Sequence, residues 1–189
     1  MLLFLGDSIT QWWDANCFRE FFGSYEPLNL GMSGHTTKDT LEYVKLSGLN
    51  GLKPELIILQ IGTNNPDHGM TTDETVEEIK QIIKSIHSIS PNSKVLLIGP
   101  LPRGDSQEDR YRVLNAEVNK LLSKIEFESR IFYVDLGYEF LKSDSSISTK
   151  IMYDKLHLTA SGYRILSEQI SSLLFILFGP PSRQGSPCR

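Results

Sequence analysis

The sequence predicts an α/β chain folded as a single-domain, three-layer α/β/α sandwich around a five-stranded parallel sheet. Three observations carry this reading. Five short apolar runs recur at 2–5, 27–30, 56–61, 94–98 and 130–134, and each stops at a turn bearing glycine or aspartate. The stretches between them place apolar residues at helical spacing, so strands alternate with helices and each crossover lays the next strand parallel to the last. The run 56–61, Leu-Ile-Ile-Leu-Gln-Ile, is apolar almost without interruption, the mark of a strand covered on both faces.

Leu2 to Leu5 are too few for a helix with its own core face, and Gly6-Asp7-Ser8 ends them abruptly, so they read as a buried strand stopping at a turn. Ile9 to Phe22 carries Trp12, Trp13, Phe18, Phe21 and Phe22 at roughly helical spacing. It is expected to be one helix packed on the sheet and closed by Gly23-Ser24, with Trp12 or Trp13 alternatively placed to wall a pocket for an acyl group. Pro27 to Leu30 is the second strand. Gly31-Met32-Ser33-Gly34-His35 closes it, and Thr36 or Thr37 caps a helix to about Leu46 with Leu41 and Val44 inward. After the central strand comes Gly62-Thr63-Asn64-Asn65-Pro66, a loop rich in side-chain amides.

Thr71 or Thr72 then opens a long helix to about Ile89, with Val76, Ile79, Ile83 and Ile86 on one stripe, and Pro91 terminates it. Lys94 to Ile98 is the fourth strand. A helix from about Gln107 to Ile125 sets Leu114, Val118, Leu121 and Ile125 at helical spacing, and Arg130 to Val134 is the fifth strand. An irregular stretch, Ser143 to Leu158, precedes a last helix from Thr159 to Phe178 with Tyr163, Leu166, Ile170, Leu173 and Leu177 inward. The domain is expected to span 1–178, and 179–189, dominated by Pro, Gly and Ser, to be a disordered tail.

Composition excludes several classes. The 189 residues carry 19 basic and 23 acidic side chains, a net charge of -4, with no Lys/Arg cluster to follow a phosphate backbone, so no nucleic-acid partner is expected. Cys17 and Cys188 lie at opposite ends with no CxxC pair and no zinc spacing, and read as free thiols of a reducing compartment. Gly6-Asp7 interrupts the N-terminal apolar run before it reaches the length of a secretory leader, so the expected location is cytoplasmic. Leu173 to Phe178 is too short to span a bilayer. It exceeds a one-sided stripe, so Phe175, Ile176 and Phe178 either pack on the core or meet a second copy in a homodimer.

The chemistry is read from strand ends. A serine just after a buried strand is a helix cap or a nucleophile, and Ser8 sits where open α/β sheets place ligands. In Asp154-Lys155-Leu156-His157 the aspartate can fold back within one turn to hold imidazole Nδ1-H while Nε2 faces outward. Ser8 would complete a nucleophile, base and orienter. The Ser8 N–H, the Gly34 N–H and the Asn64 side-chain amide follow the first three strands, and a parallel sheet brings all three to one edge as donors to an oxyanion. His35 and His68, in strand-end loops, are placed to rim the same pocket, and His87 is expected in solvent. Such acyl transfer needs no metal and no organic cofactor.

In this order and spacing the motifs resemble those of the SGNH or GDSL hydrolases. Gly6-Asp7-Ser8-Ile9-Thr10 is similar to the first block with its nucleophile, and Asn29-Leu30-Gly31-Met32-Ser33-Gly34 to the second, whose last glycine gives an oxyanion N–H. Gly62-Thr63-Asn64-Asn65 is similar to the third block and Asp154 to His157 to the last. Leu101-Pro102-Arg103-Gly104 and Met152 to Leu158, with Gly162-Tyr163, resemble the branch formed by catalytic subunits of intracellular type I platelet-activating factor acetylhydrolase.

The resemblance covers about 3–174. It implies a flavodoxin-like hydrolase fold and a serine esterase that removes a small acyl group, acetyl above all, from a small-molecule ester. The roles implied are Ser8 nucleophile, His157 base, Asp154 orienter, and Ser8, Gly34 and Asn64 oxyanion donors. Ser33 and His35 depart from the Gly-Asp usual around the last glycine of the second block, and Asn65 stands where many members carry Asp, an asparagine that the acetylhydrolase branch shares. The alternatives are a carbohydrate O-acetylesterase, a lysophospholipase or thioester hydrolase, and a non-catalytic scaffold that retains the fold.

Overall fold

In a computed structural model that describes residues 1–179, five strands form one sheet: β1 (Leu2–Gly6), β2 (Pro27–Gly31), β3 (Leu56–Gln60), β4 (Lys94–Ile98) and β5 (Ile131–Val134). All four pairings are parallel and the order is β2-β1-β3-β4-β5, the doubly wound arrangement expected. β1 is fully buried, and its alternating side chains feed two cores. Phe4 joins Phe22, Tyr163, Leu166 and Ile170 on one face, while Leu3 and Leu5 join Ile79, Ile83, Val118 and Leu122 on the other. Phe4 has the rings of Phe18 and Phe22 at 4.9 Å and Trp13 at 5.2 Å, so the aromatic group after Ser8 is largely core.

Six helices cover the sheet: α1 (Ser8–Gln11), α2 (Ala15–Phe22), α3 (Thr37–Tyr43), α4 (Thr72–Ile89), α5 (Arg110–Leu122) and α6 (Ala160–Phe178). Thr36 caps α3 and Thr71 caps α4, each in a capping box closed by Asp39 or Glu74. The α4 stripe is buried as its periodicity predicts, and Tyr163, Leu166 and Ile170 of α6 are buried too. On α6 Leu174 is buried as well, with Leu173 and Leu177 packed partly against the same core. The expected tail 179–189 lies outside the described residues apart from Gly179, the C-cap of α6. No helix among the described residues is long and apolar enough to cross a membrane.

Two expectations are corrected. The single helix read over Ile9 to Phe22 is broken at Trp12–Asp14, because the Asp14 carboxylate accepts from the Asn16 and Cys17 N–H groups and starts α2 afresh. The break sends the two tryptophans apart: Trp13 is buried, with Nε1 donating to Ser167 Oγ at 3.0 Å, and Trp12 is half exposed. The helix read over Gln107 to Ile125 runs instead from the Asp109 cap to Leu122. Val118 is buried, and Leu121 and Ile125 pack partly against the same core, but Arg112, Asn115 and Asn119 are also turned inward. These polar groups are inside because they bind the loop after β4. Asn115 Nδ2 donates to Leu101 O at 2.8 Å, Asn119 Nδ2 to Pro100 O at 3.0 Å, and Arg112 to the carbonyls of Arg103, Gly104 and Ser145.

β2 lies close under α1. A Cβ added at Gly31 would stand 2.2 Å from Gln11 N and 2.6 Å from the Thr10 carbonyl carbon, both backbone atoms that cannot swing away. Gly31→Ala is therefore expected to destabilise the domain by about 1–3 kcal/mol or more, read as a lower denaturation midpoint in urea with unchanged slope.

Candidate active site

The site lies where β1 and its neighbours end, at the point where the strand order reverses. Asp7, at the end of β1, caps α1 by accepting from Ile9 N–H at 2.9 Å, and this sets Ser8 at the first helical position. A first-turn N–H has no acceptor within its own helix, so the Ser8 N–H is left for another partner. The Ser8 side chain is buried and its Oγ lies 3.0 Å from His157 Nε2, across 149 residues of sequence. His157 Nδ1 lies 2.7 Å from Asp154 Oδ2, and the other oxygen of that carboxylate accepts from the His157 and Leu156 N–H groups. Ser8, His157 and Asp154 are thus brought together in one hydrogen-bonded line.

The segment carrying the imidazole has no long element of its own. Two isolated antiparallel bridges, Leu141 with Ile147 and Met152 with Leu158, pinch it into shape. Lys155 adopts a left-handed backbone with φ of 63°, costly for a lysine, and this bend lets Asp154 double back onto His157. It is held in place on both sides: Gly104 N–H donates to Lys155 O at 2.9 Å, and Lys155 Nζ donates to Ile147 O at 2.7 Å.

The two loops that carry the remaining candidates touch. Asn64 Nδ2 donates to His35 O at 3.0 Å, next to Gly34, and keeps a second N–H on the same nitrogen. Gly34 has φ of 78°, which only glycine adopts at ease, and nothing lies within 4 Å of where its Cβ would stand. Ser33 and His35 do not leave this loop unsupported. Gln11 Oε1 accepts from Ser33 N–H at 2.8 Å, and Met32 O accepts from His35 N–H at 3.2 Å. His35 is half-buried and His68 exposed. His87, expected in solvent, is half-buried with Nε2 3.1 Å from Ser93 O, because the turn after α4 folds back on it.

Sequence reasoning missed what Asn65 does. It is fully buried, its Oδ1 accepts from Thr37 N–H at 2.9 Å, and its Nδ2 donates to the Thr37 and Thr75 hydroxyls at 2.5 and 2.8 Å. The Thr37 hydroxyl in turn donates to Glu78 Oε2 at 2.5 Å. An aspartate here would set a second carboxylate one hydroxyl away from Glu78, and like charges so close oppose each other. The asparagine therefore fits the glutamate, and the pair ties the loop after β3 to the start of α3. Arg103 adds a further tie, donating to Thr63 O at 2.9 Å and pairing with Asp67 at 3.2 Å.

Two carboxylates of the site sit in opposite electrostatic settings. Burial pushes Asp7 from its ordinary 3.8 up to about 7, against the Ile9 N–H and the Arg103 charge, which lower it. Burial also pushes Asp154 upward, but the His157 side chain, the His157 and Leu156 N–H groups and the His157 charge together outweigh it and hold the carboxyl below the usual range. Asp154 is thus anionic where an imidazolium would need it. Among the described residues no group of three or more His, Cys, Asp or Glu side chains gathers as metal ligands would.

The pattern of the GDSL-like Lipase/Acylhydrolase family matches residues 4–165, so the chain belongs to that family and is a carboxylic ester hydrolase. It is 34% identical over 178 residues to platelet-activating factor acetylhydrolase IB subunit alpha2 of Rattus norvegicus, covering 93% of this chain and 76% of the relative. It is 32% identical over 188 residues to subunit alpha1 from Homo sapiens, covering 98% and 80%. Among solved structures, a variant of an acetyl-xylooligosaccharide esterase from Geobacillus stearothermophilus shares the fold, with a TM-score of 0.73 and 19% identity over 97% of this chain and 96% of that one.

Proposed function

We propose that the protein is a serine esterase that removes a small acyl group, acetyl above all, from an ester. The observation that carries this is the continuous line from Ser8 Oγ through the imidazole to the Asp154 carboxylate, with contacts of 3.0 and 2.7 Å. His157 Nε2 takes the Ser8 proton as Oγ attacks the ester carbonyl, and Asp154 fixes the ring tautomer and balances the imidazolium. The Ser8 N–H, the Gly34 N–H and the second N–H of Asn64 Nδ2 receive the negative charge that develops on the carbonyl oxygen. His157 then returns the proton to the departing alcohol, an acyl-Ser8 ester remains, and water activated by the same imidazole releases the acid. The relatives named for acetylhydrolase activity support acetyl as the group transferred. The reading carries a cytoplasmic setting, in which Cys17, buried between α2 and α6, stays a thiol.

A fluorophosphonate probe is expected to label the chain at Ser8. A series of p-nitrophenyl esters is expected to fall steeply in kcat/KM beyond acetyl. Labelling elsewhere, or none, would favour a scaffold that keeps the fold without the reaction, and a maximum at long acyl chains would make it a lysophospholipase or thioesterase. Asn64→Ala is expected to lower kcat on p-nitrophenyl acetate by roughly 10² to 10³-fold with a much smaller change in KM, because the donor acts on charge present only in the transition state.

A further inference from the structure

We infer that Trp12 and Tyr153 form the binding surface for the alcohol half of the ester, and that this alcohol carries a flat-faced ring, pyranosyl or aryl. The inference rests on the esterase reading above and adds to it a side of the substrate which that reading leaves open.

Both rings lie against the imidazole. The Trp12 ring centroid is 4.6 Å from that of His157 with the planes tilted by 41°, and Tyr153 stacks at 6.0 Å and 21°. Both are also exposed, Trp12 at 48% and Tyr153 at 55%, whereas Trp13 beside them is 7% exposed. Neither exposure is a stray result of helix packing. Trp12 is turned outward by the break that Asp14 imposes between α1 and α2. Tyr153 is set by its own N–H, which donates to His157 O at 3.2 Å. The backbone that positions the relay therefore also positions the rings.

The order of proton transfers decides which half of the ester they meet. To leave, the alkoxide oxygen must come within hydrogen-bond reach of His157 Nε2, so the rest of the alcohol lies against whatever borders the imidazole on its open side. These two rings border it. The carbonyl oxygen is turned towards Gly34 and Asn64, so those donors do not face the alcohol. A half-exposed indole and phenol offer broad apolar faces with polar tips, which match a pyranose face or an aryl ring. A quaternary ammonium also favours aromatic faces, but here it would sit beside an imidazole that turns cationic as the ester is attacked, and the like charges would oppose that step.

The test compares four acetates that share an acyl group and differ in alcohol: phenyl acetate, a mono-O-acetylated methyl xylopyranoside, ethyl acetate and acetylcholine. For each, kcat/KM is measured with the wild-type chain, Trp12→Ala, Trp12→Phe and Tyr153→Ala. The ratio of a ring-bearing acetate to ethyl acetate is expected to fall roughly three- to tenfold in Trp12→Ala and Tyr153→Ala, mostly through KM, and to recover in Trp12→Phe. The larger fall between phenyl and xylosyl acetates identifies the kind of ring. Equal losses on all four acetates would overturn the inference, as would acetylcholine being the acetate most damaged. A chain labelled at Ser8 by the fluorophosphonate yet indifferent to the alcohol keeps the esterase reading and loses this one. A chain that turns over none of the four loses both.

Discussion

Ser8→Ala is expected to lower kcat/KM on p-nitrophenyl acetate by roughly 10⁴-fold or more, and His157→Ala by a similar factor. The magnitude follows from the proposed mechanism: Oγ would be the attacking atom and the imidazole 3.0 Å away its base, so removing either would leave the oxyanion donors and substrate binding. The two residues act on one step, so the double variant should be no slower than the worse single one. The alanine variant also tests the fold separately from the chemistry. The cap on α1 is made by the Asp7 side chain on Ile9 N–H, and Ser8→Ala leaves it in place. Its far-ultraviolet circular dichroism and melting midpoint should therefore stay close to wild type. Activity near wild type in a folded Ser8→Ala chain would refute the mechanism outright.

The second large effect concerns stability and Asp7. Its carboxyl is pushed from 3.8 to about 7 in the folded chain by burial, so between those values the folded state holds a proton that the unfolded state has lost. Stability must then fall as pH rises through that window and level off above it. At about 1.4 kcal/mol per pH unit, the displacement amounts to about 4 kcal/mol. Asp7→Asn keeps a side-chain oxygen for Ile9 N–H and removes the charge. The variant should resemble wild type near pH 4 and become more stable than it by up to about 4 kcal/mol near pH 8. Urea denaturation at several pH values reads this directly. Parallel curves for the two chains between pH 4 and 8 would show that Asp7 is not held neutral by burial.

The fold was legible because five strand runs and their glycine turns are local signals, and a parallel sheet is nearly the only way to connect them. Helix α4 was legible for the same reason, having a cap at Thr71 and an uninterrupted stripe. The break before α2 was not seen because the aromatic spacing is helical on both sides of it. The signal that could have found it is Asp14, a residue type that caps helices. The buried polar residues of α5 were missed for a different cause. Asparagine and arginine at helical spacing look like a solvent face, and only the carbonyls of the loop after β4 make them an interior one.

In the site, the approach of Asp154 to His157 was legible from a three-residue spacing. The approach of Ser8 to the imidazole was read only from strand-end logic and family resemblance. Asn65 gave no cue, since its partners Thr37 and Thr75 lie 28 residues before and 10 after it, and Glu78 is reached only through Thr37.

The span between Ser8 and the imidazole shapes how the protein is made. The hydroxyl is synthesised with β1, and the imidazole proposed as its base follows 149 residues later. α6 then fastens both ends, through Tyr163 Oη on Ile9 O at 2.8 Å and Ser167 Oγ on Trp13 Nε1 at 3.0 Å. The proposed reaction therefore depends on the docking of α6: until that helix packs on the sheet, Ser8 is without the imidazole that the proposal gives it.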